Sequence, residues 1–182
     1  MLDRRVCITG AGSHVPESAV SNEELCVTFN AWAGAGGAPI AEPSSPEFIE
    51  KVSGIRSRFL WDKVGVLDVD RMCPDIPDRP DEEPSVQAEF ALSAAHKAIA
   101  ESGRAPEDID LVVVGASSLQ RPYPAIAIEV QSHLDASGFA FDVSVGCSSG
   151  VYAIQLAHDA IQLGRATCAL VCVPEIPSAY AN

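Results

Sequence analysis

The sequence predicts an α/β domain in which helices cover both faces of a largely parallel sheet. Three observations carry this expectation. After Pro84, apolar runs of strand length alternate with longer stretches of helical period, the order of a layered α/β chain. The stretch "DIDLVVVGASS" holds an unbroken apolar run between polar ends, as a strand buried on both faces requires. Finally, 182 residues with 47% apolar and 20% charged side chains suit a globular chain able to bury a single core.

The first strand is expected at Arg5-Val6-Cys7-Ile8-Thr9, running into Gly10-Ala11-Gly12. "SNEEL" sets Ser21 and Glu24 at capping-box spacing, so a helix is expected to begin there. Residues 33–46, rich in Gly, Ala, Pro and Ser, read as a surface insertion. A short helix through Phe48 and Ile49 should end at Gly54, and the proline-rich, acidic stretch 61–84 reads as an extended excursion. The next helix sets Ala88, Ala91, Leu92, Ala95, Ala98 and Ile99 on one face, with Gly103 as its C-terminal cap. A helix opened by Pro124 is expected to reach Leu134. Strand Phe139–Val145, helix Ser148–Leu163 and strand Thr167–Val173 follow, and no internal repeat is evident.

Charge narrows the function. A net charge of −13 argues against nucleic acid and against anionic membrane surfaces. No run approaches the roughly 20 apolar residues of a bilayer span. The N-terminus enters its first strand without a secretory core, so the cytoplasm is the expected compartment. The six cysteines lack the spacing of a zinc knuckle, and no histidine pair accompanies Cys168 and Cys172, so no metal is expected. Cys7, Cys26, Cys168 and Cys172 read instead as small buried hydrophobes.

Cys147 differs. In "FDVSVGCSSGVYAIQLAHDAIQ" it sits where a strand period gives way to a helical one, among small residues. A helix N-terminus offers unpaired N–H groups and a positive dipole end, both of which favour a thiolate nucleophile. Ser148, Ser149 and Gly150 leave room for a carbonyl, and backbone N–H groups there suit an oxyanion. A small residue in a tight turn is the structural alternative. The four histidines supply no evident base. His158 lies eleven residues along the same helix, roughly 16 Å from the sulfur at 1.5 Å per residue. His96 and His133 fall within other helices, and only His14, in the loop after the first strand, is open in position. The helix after Cys147 confines its polar residues to Gln155, His158, Asp159 and Gln162, and so calls for protein around most of its circumference.

The stretches "FDVSVGCSSGVYAI", "DIDLVVVGASS", "YPAIAIEVQSHL", "SGIRSRF" and "ALVCVPEIPS" together resemble the β-ketoacyl-acyl-carrier-protein synthase III-like condensing enzymes of the thiolase superfamily. "SNEELCVTFNAW", "DRMCPDIPDRPDEEPS" and "LQRPYPAIAIEVQ" look most like its β-ketodecanoyl-acyl-carrier-protein synthase subfamily. The resemblance covers nearly the whole chain apart from the two irregular stretches. It implies the N-terminal half, residues 1–182, of an αβαβα layered fold with a mixed, mostly parallel sheet. It implies that Cys147 receives an acyl primer from acyl-CoA or acyl carrier protein, which then condenses with malonyl-carrier protein. No cofactor is implied. Tyr123 matches a residue that reaches across a homodimer to line the partner's acyl pocket, with Phe139–Val145 expected at the dimer edge. Phe48 matches the tryptophan at the coenzyme A entrance, and Val52 stands where the family carries arginine, with Lys51 adjacent.

Nothing in the chain matches the histidine and asparagine that the family uses in decarboxylation; these belong to a C-terminal half. A truncated or split-gene product acting as a non-catalytic partner subunit is therefore the alternative reading. "GAGSHV" from Gly10 begins like a dinucleotide fingerprint but has Val15 in place of the third glycine.

Overall fold

In the computed structural model, residues 5–36, 43–80 and 82–176 are described. In chain order the elements are β1 (Ala19–Ser21), α1 (Asn22–Gly34), α2 (Pro46–Ser53), β2 (Ser57–Phe59), α3 (Lys63–Leu67), α4 (Val86–Ser102), β3 (Leu111–Gly115), α5 (Ile126–His133), β4 (Phe139–Val143), α6 (Ser149–Gln162) and β5 (Ala169–Cys172). They fall into two compact units. One joins the N-terminal segment through His14 to Pro77–Glu175, and the other is built chiefly from Val15–Ile76.

The first unit is the α/β layer. Its three described strands run parallel in the order β4-β3-β5, with Val113 opposite Phe141 on one side and Val171 on the other. All five residues of β3 are buried, because both of its neighbours and both helix layers close over it. The strand period of two divides its side chains. Val112 and Val114 join Ala88, Leu92 and Val130 of α4 and α5, while Leu111 and Val113 join Ala153 and Ala157 of α6. β3 ends in Gly115, where a Cβ would lie 2.6 Å from the Ser149 carbonyl oxygen, so a glycine lets the first turn of α6 approach.

Several expectations shift here. Arg5–Thr9 forms no strand: no backbone-to-backbone hydrogen bond joins Val6–Ser13 to another described residue, and Ile8 is 83% exposed. A strand needs a partner edge, and a cleft of about 740 Å³ lies between this segment and β5, lined also by Ala94 and Ala98 of α4 and Ile154 and Ala157 of α6. Cys7, expected to be buried, is exposed for the same reason. Gly10 and Gly12 serve packing rather than a nucleotide, since a Cβ at either would lie 2.2 Å from a carbonyl oxygen of α4. The helix expected at Pro124 begins at Ile126, because Asp142 accepts the N–H groups of Ile126 and Ala127 at 2.9 and 2.8 Å. β4 ends at Val143, before the turn that leads to Cys147.

The second unit is held by local devices. Ser21 and Glu24 form the expected capping box of α1, with both reciprocal bonds made. α2 begins at the Ser45 cap and ends at Gly54 in the left-handed conformation, as expected. Within residues 61–84 the structure adds α3, whose cap is Asp62. The N–H groups of Gly65 and Asp75 hold the Asp62 carboxyl below the usual aspartate range. β1 and β2 form an antiparallel pair that the sequence pattern does not announce, each being three residues long. Of the expected 33–46 insertion, α1 occupies the start, Asn30 bonds both backbone groups of Ser44, and residues 37–42 lie outside the described ones.

Candidate active site

The strand-to-helix elbow is built in layers beneath Cys147. β4 brings the chain to Ser144, Gly146 turns it with φ of +59°, and α6 begins two residues after the thiol at Ser149. Ser149, 1% exposed, locks this turn. Its Oγ accepts the Val145 N–H at 2.9 Å and lies within bonding distance of the carbonyl oxygens of Gly146, at 2.7 Å, and Ala116, at 3.1 Å. Its hydroxyl therefore belongs to the fold, a role the sequence reading, which noted only the small size of Ser148, Ser149 and Gly150, did not assign it. No sequence signal announces this role, because the burial of Ser149 and its tie to Ala116 are set by the fold.

Above this lock the Cys147 side is open. The thiol is exposed, and the N–H groups of Gly150 and Val151 have no backbone partner among the described residues. A ligand oxygen placed over the first turn of α6 would meet donors that helix geometry leaves unpaired. Two other cysteines differ. Burial pushes the Cys172 thiol up to about 12 and raises Cys168 as well, so both are held as neutral thiols.

No base stands beside the sulfur among the histidines. His158 pairs with Asp159 on α6 at 3.1 Å, His133 Nδ1 lies 2.9 Å from the Glu129 carbonyl oxygen, and His96 is exposed on α4. His14 packs edge-on against Phe90, 5.0 Å between ring centroids, in the cleft beside β5. Among the described residues no cluster of side chains suited to a metal ion occurs, and no helix is long and apolar enough to cross a membrane.

Tyr123 lies on the loop between β3 and α5, 89% exposed, at a cis Tyr123-Pro124 bond. Phe48, Lys51 and Val52 are all exposed on α2, at the i, i+3 and i+4 spacing that shares one helix face. Val151, Tyr152, Ile154, Leu156 and Leu163 of the α6 segment are exposed too, so the helix expected to need cover has much of its apolar surface open.

The comparisons agree with this architecture. The family described as FAE1/Type III polyketide synthase-like protein matches residues 76–181. The chain is 48% identical over 139 residues to β-ketodecanoyl-acyl-carrier-protein synthase of Pseudomonas aeruginosa, covering 76% of this chain and 40% of that protein. It is 32% identical over 176 residues to β-ketoacyl-acyl-carrier-protein synthase III of Ehrlichia ruminantium, covering 96% of this chain and 45% of that protein. The chain belongs to the β-ketoacyl-acyl-carrier-protein synthase III-like condensing enzymes. Among solved structures of this family, the synthase III of Aquifex aeolicus superposes with a TM-score of 0.71 at 26% identity, over 94% of this chain and 45% of that one. That of Pseudomonas aeruginosa gives 0.65 at 26%, over 90% and 40%. The fold is therefore thiolase-like, and the chain spans less than half the length of the synthase relatives it matches.

Proposed function

We propose that this synthase III-like chain carries the acyl-accepting half of a condensing enzyme, with Cys147 as its nucleophile. Support comes chiefly from one observation: an exposed thiol at an elbow fixed by the buried Ser149 hydroxyl, beside unpaired N–H groups. The Cys147 Sγ attacks the thioester carbonyl of an acyl-CoA or acyl carrier protein. The tetrahedral oxyanion rests on N–H donors of the elbow and collapses with loss of the carrier thiolate, which takes up the proton the cysteine gave up. The acyl group is left on Cys147. Condensation with malonyl-carrier protein, with release of carbon dioxide, needs donors for the enolate. In this reading they come from a C-terminal half, the uncovered surface of α6 being one face that half would cover.

Tyr123 lines the acyl pocket of a second copy, and Phe48 and Lys51 receive the coenzyme A portion. Pairing of two copies along β4 is favoured by Asp142: its carboxylate is turned to the N-terminus of α5, so it does not guard the strand edge. The experiment is acyl transfer from acetyl-, octanoyl- and decanoyl-CoA, read by intact mass. One acyl group should appear on Cys147 and vanish in Cys147→Ser, with no β-ketoacyl product from this chain alone. Acylation spread evenly over the six cysteines would remove the nucleophile assignment.

A further inference from the structure

The loop that carries Tyr123 is fastened far more heavily than an exposed turn requires. It runs from Ala116 to Ala125, and Tyr123 near its tip makes no hydrogen bond among the described residues, yet anchors surround it. Gln87, 1% exposed on α4, spends its whole side-chain amide on fixed partners. Its Nε2 donates to the carbonyls of Ser118 at 2.8 Å and Pro174 at 3.0 Å, and its Oε1 accepts the Gln120 N–H at 2.8 Å. The Gln120 Oε1 accepts the Gln87 N–H in return, at 3.0 Å. Glu175 takes both the N–H and the hydroxyl of Ser117.

On the far side, Glu129 is 5% exposed, accepts the Ser85 N–H at 2.6 Å and stands 3.8 Å from Arg121, whose other nitrogen donates to the Arg79 carbonyl at 2.7 Å. Burying an amide, a carboxylate and a guanidinium around one turn is costly unless each is paired, and a paired set is stiff. The Gln87 amide is paired at both ends, whereas Glu129 Oε1 and Arg121 Nη1 have no hydrogen-bond partner among the described residues, so the stiffness comes chiefly from the Gln87 side. Loop tips otherwise tend to be mobile. The consequence is an aromatic ring, almost wholly exposed, whose backbone is held in one place. Such a ring meets an apolar surface with little ordering cost.

We propose that Gln87 and Glu129 are positioning residues that fix the direction in which Tyr123 presents its ring, and through it the acyl chain lengths that the site admits. This rests on the reading of Tyr123 as a pocket wall given above. A fixed wall discriminates among chain lengths; a loose one yields to each of them.

The test is the rate of Cys147 acylation across acetyl-, butyryl-, octanoyl-, decanoyl- and dodecanoyl-CoA, with melting temperatures recorded for every variant. In Gln87→Ala the ratio between the best and the worst chain should shrink at least fivefold, and Tyr123→Ala should shrink it equally. The double variant should be no flatter than Tyr123→Ala alone, because coupled residues are not additive. Glu129→Gln, which keeps the shape and an acceptor for Ser85, should flatten the profile less. A profile unchanged in Gln87→Ala, or one that adds to the effect of Tyr123→Ala, overturns the positioning role while leaving the pocket wall in place. A profile unchanged in Tyr123→Ala, or a wild-type chain that is not acylated, overturns the site reading itself and the positioning role with it.

Discussion

The α/β unit and the unit of Val15–Ile76 are fastened in different ways. In the smaller unit the helices are started by residues one to three positions away: Ser21 for α1, Ser45 for α2 and Asp62 for α3. In the α/β unit the polar fastenings cross long stretches of chain. Asp142 receives the N–H groups of Ile126 and Ala127, Glu129 that of Ser85, and Asp110 those of Thr167 and Cys168. α4 combines the two there: its Ser85 hydroxyl accepts locally from Ala88, while the remote Glu129 and Gln120 accept the N–H groups of Ser85 and Gln87. Local caps act whether or not the rest of the chain has folded, whereas remote carboxylates act only once the layers are assembled. The first unit should therefore lose its structure as a whole, and the second in smaller steps.

The harshest way to break that contrast is a charge at the centre of β3. Val113→Asp buries a carboxylate with no partner and should cost roughly 4 kcal/mol or more, enough to remove the α/β unit. Val64→Asp, at a site 81% exposed in the other unit, should stay within about 0.5 kcal/mol. Circular dichroism and urea melts would register both; equal effects would mean that the two units share one fate.

A milder cut separates fold from chemistry at the elbow. Ser149→Ala leaves the Val145 N–H without its acceptor and should lower stability by about 2 kcal/mol. Because the same hydroxyl holds the turn under Cys147, iodoacetamide should modify that thiol several-fold more slowly in the variant. Labelling at the wild-type rate would show that the turn keeps its shape without the lock.

The smallest effect sharpens the difference between remote and local caps through pH. Burial alone would raise the Asp110 carboxyl, but the Cys168 N–H and the Thr167 hydroxyl and N–H outweigh it and hold the group below its ordinary 3.8. Its contribution is complete above that value and is lost as the pH falls from there through the lower folded-state value. Asp110→Asn should cost about 1 kcal/mol at pH 7 and flatten the decline in stability below about pH 4. Ser21→Ala, which removes a hydroxyl cap that does not titrate, should cost about 1 kcal/mol and leave the slope of the acid limb nearly as it was. A parallel loss of slope in both variants would contradict the assignment of acid sensitivity to Asp110.

Much of this protein is already determined by the order of its residues. The unbroken apolar run of β3, the Ala-rich face of α4, the caps at Ser21, Gly54 and Gly103, and the placing of Cys147 between strand and helix all follow from local period and turn chemistry. The quoted motifs carried the family as well. What sequence period could not decide is everything that depends on a neighbour across the fold. Arg5–Thr9 has the pattern of a strand but pairs with no described strand, a cleft separating it from the open edge of β5. α5 begins at Ile126 rather than Pro124 because an aspartate on β4 faces its first turn. The tie from Ser149 to Ala116 and the amide bonds of Gln87 are invisible in a string of letters, since those partners lie more than thirty positions away. Backbone period is a property of adjacent residues, but the satisfaction of a buried polar group is settled only when distant segments meet.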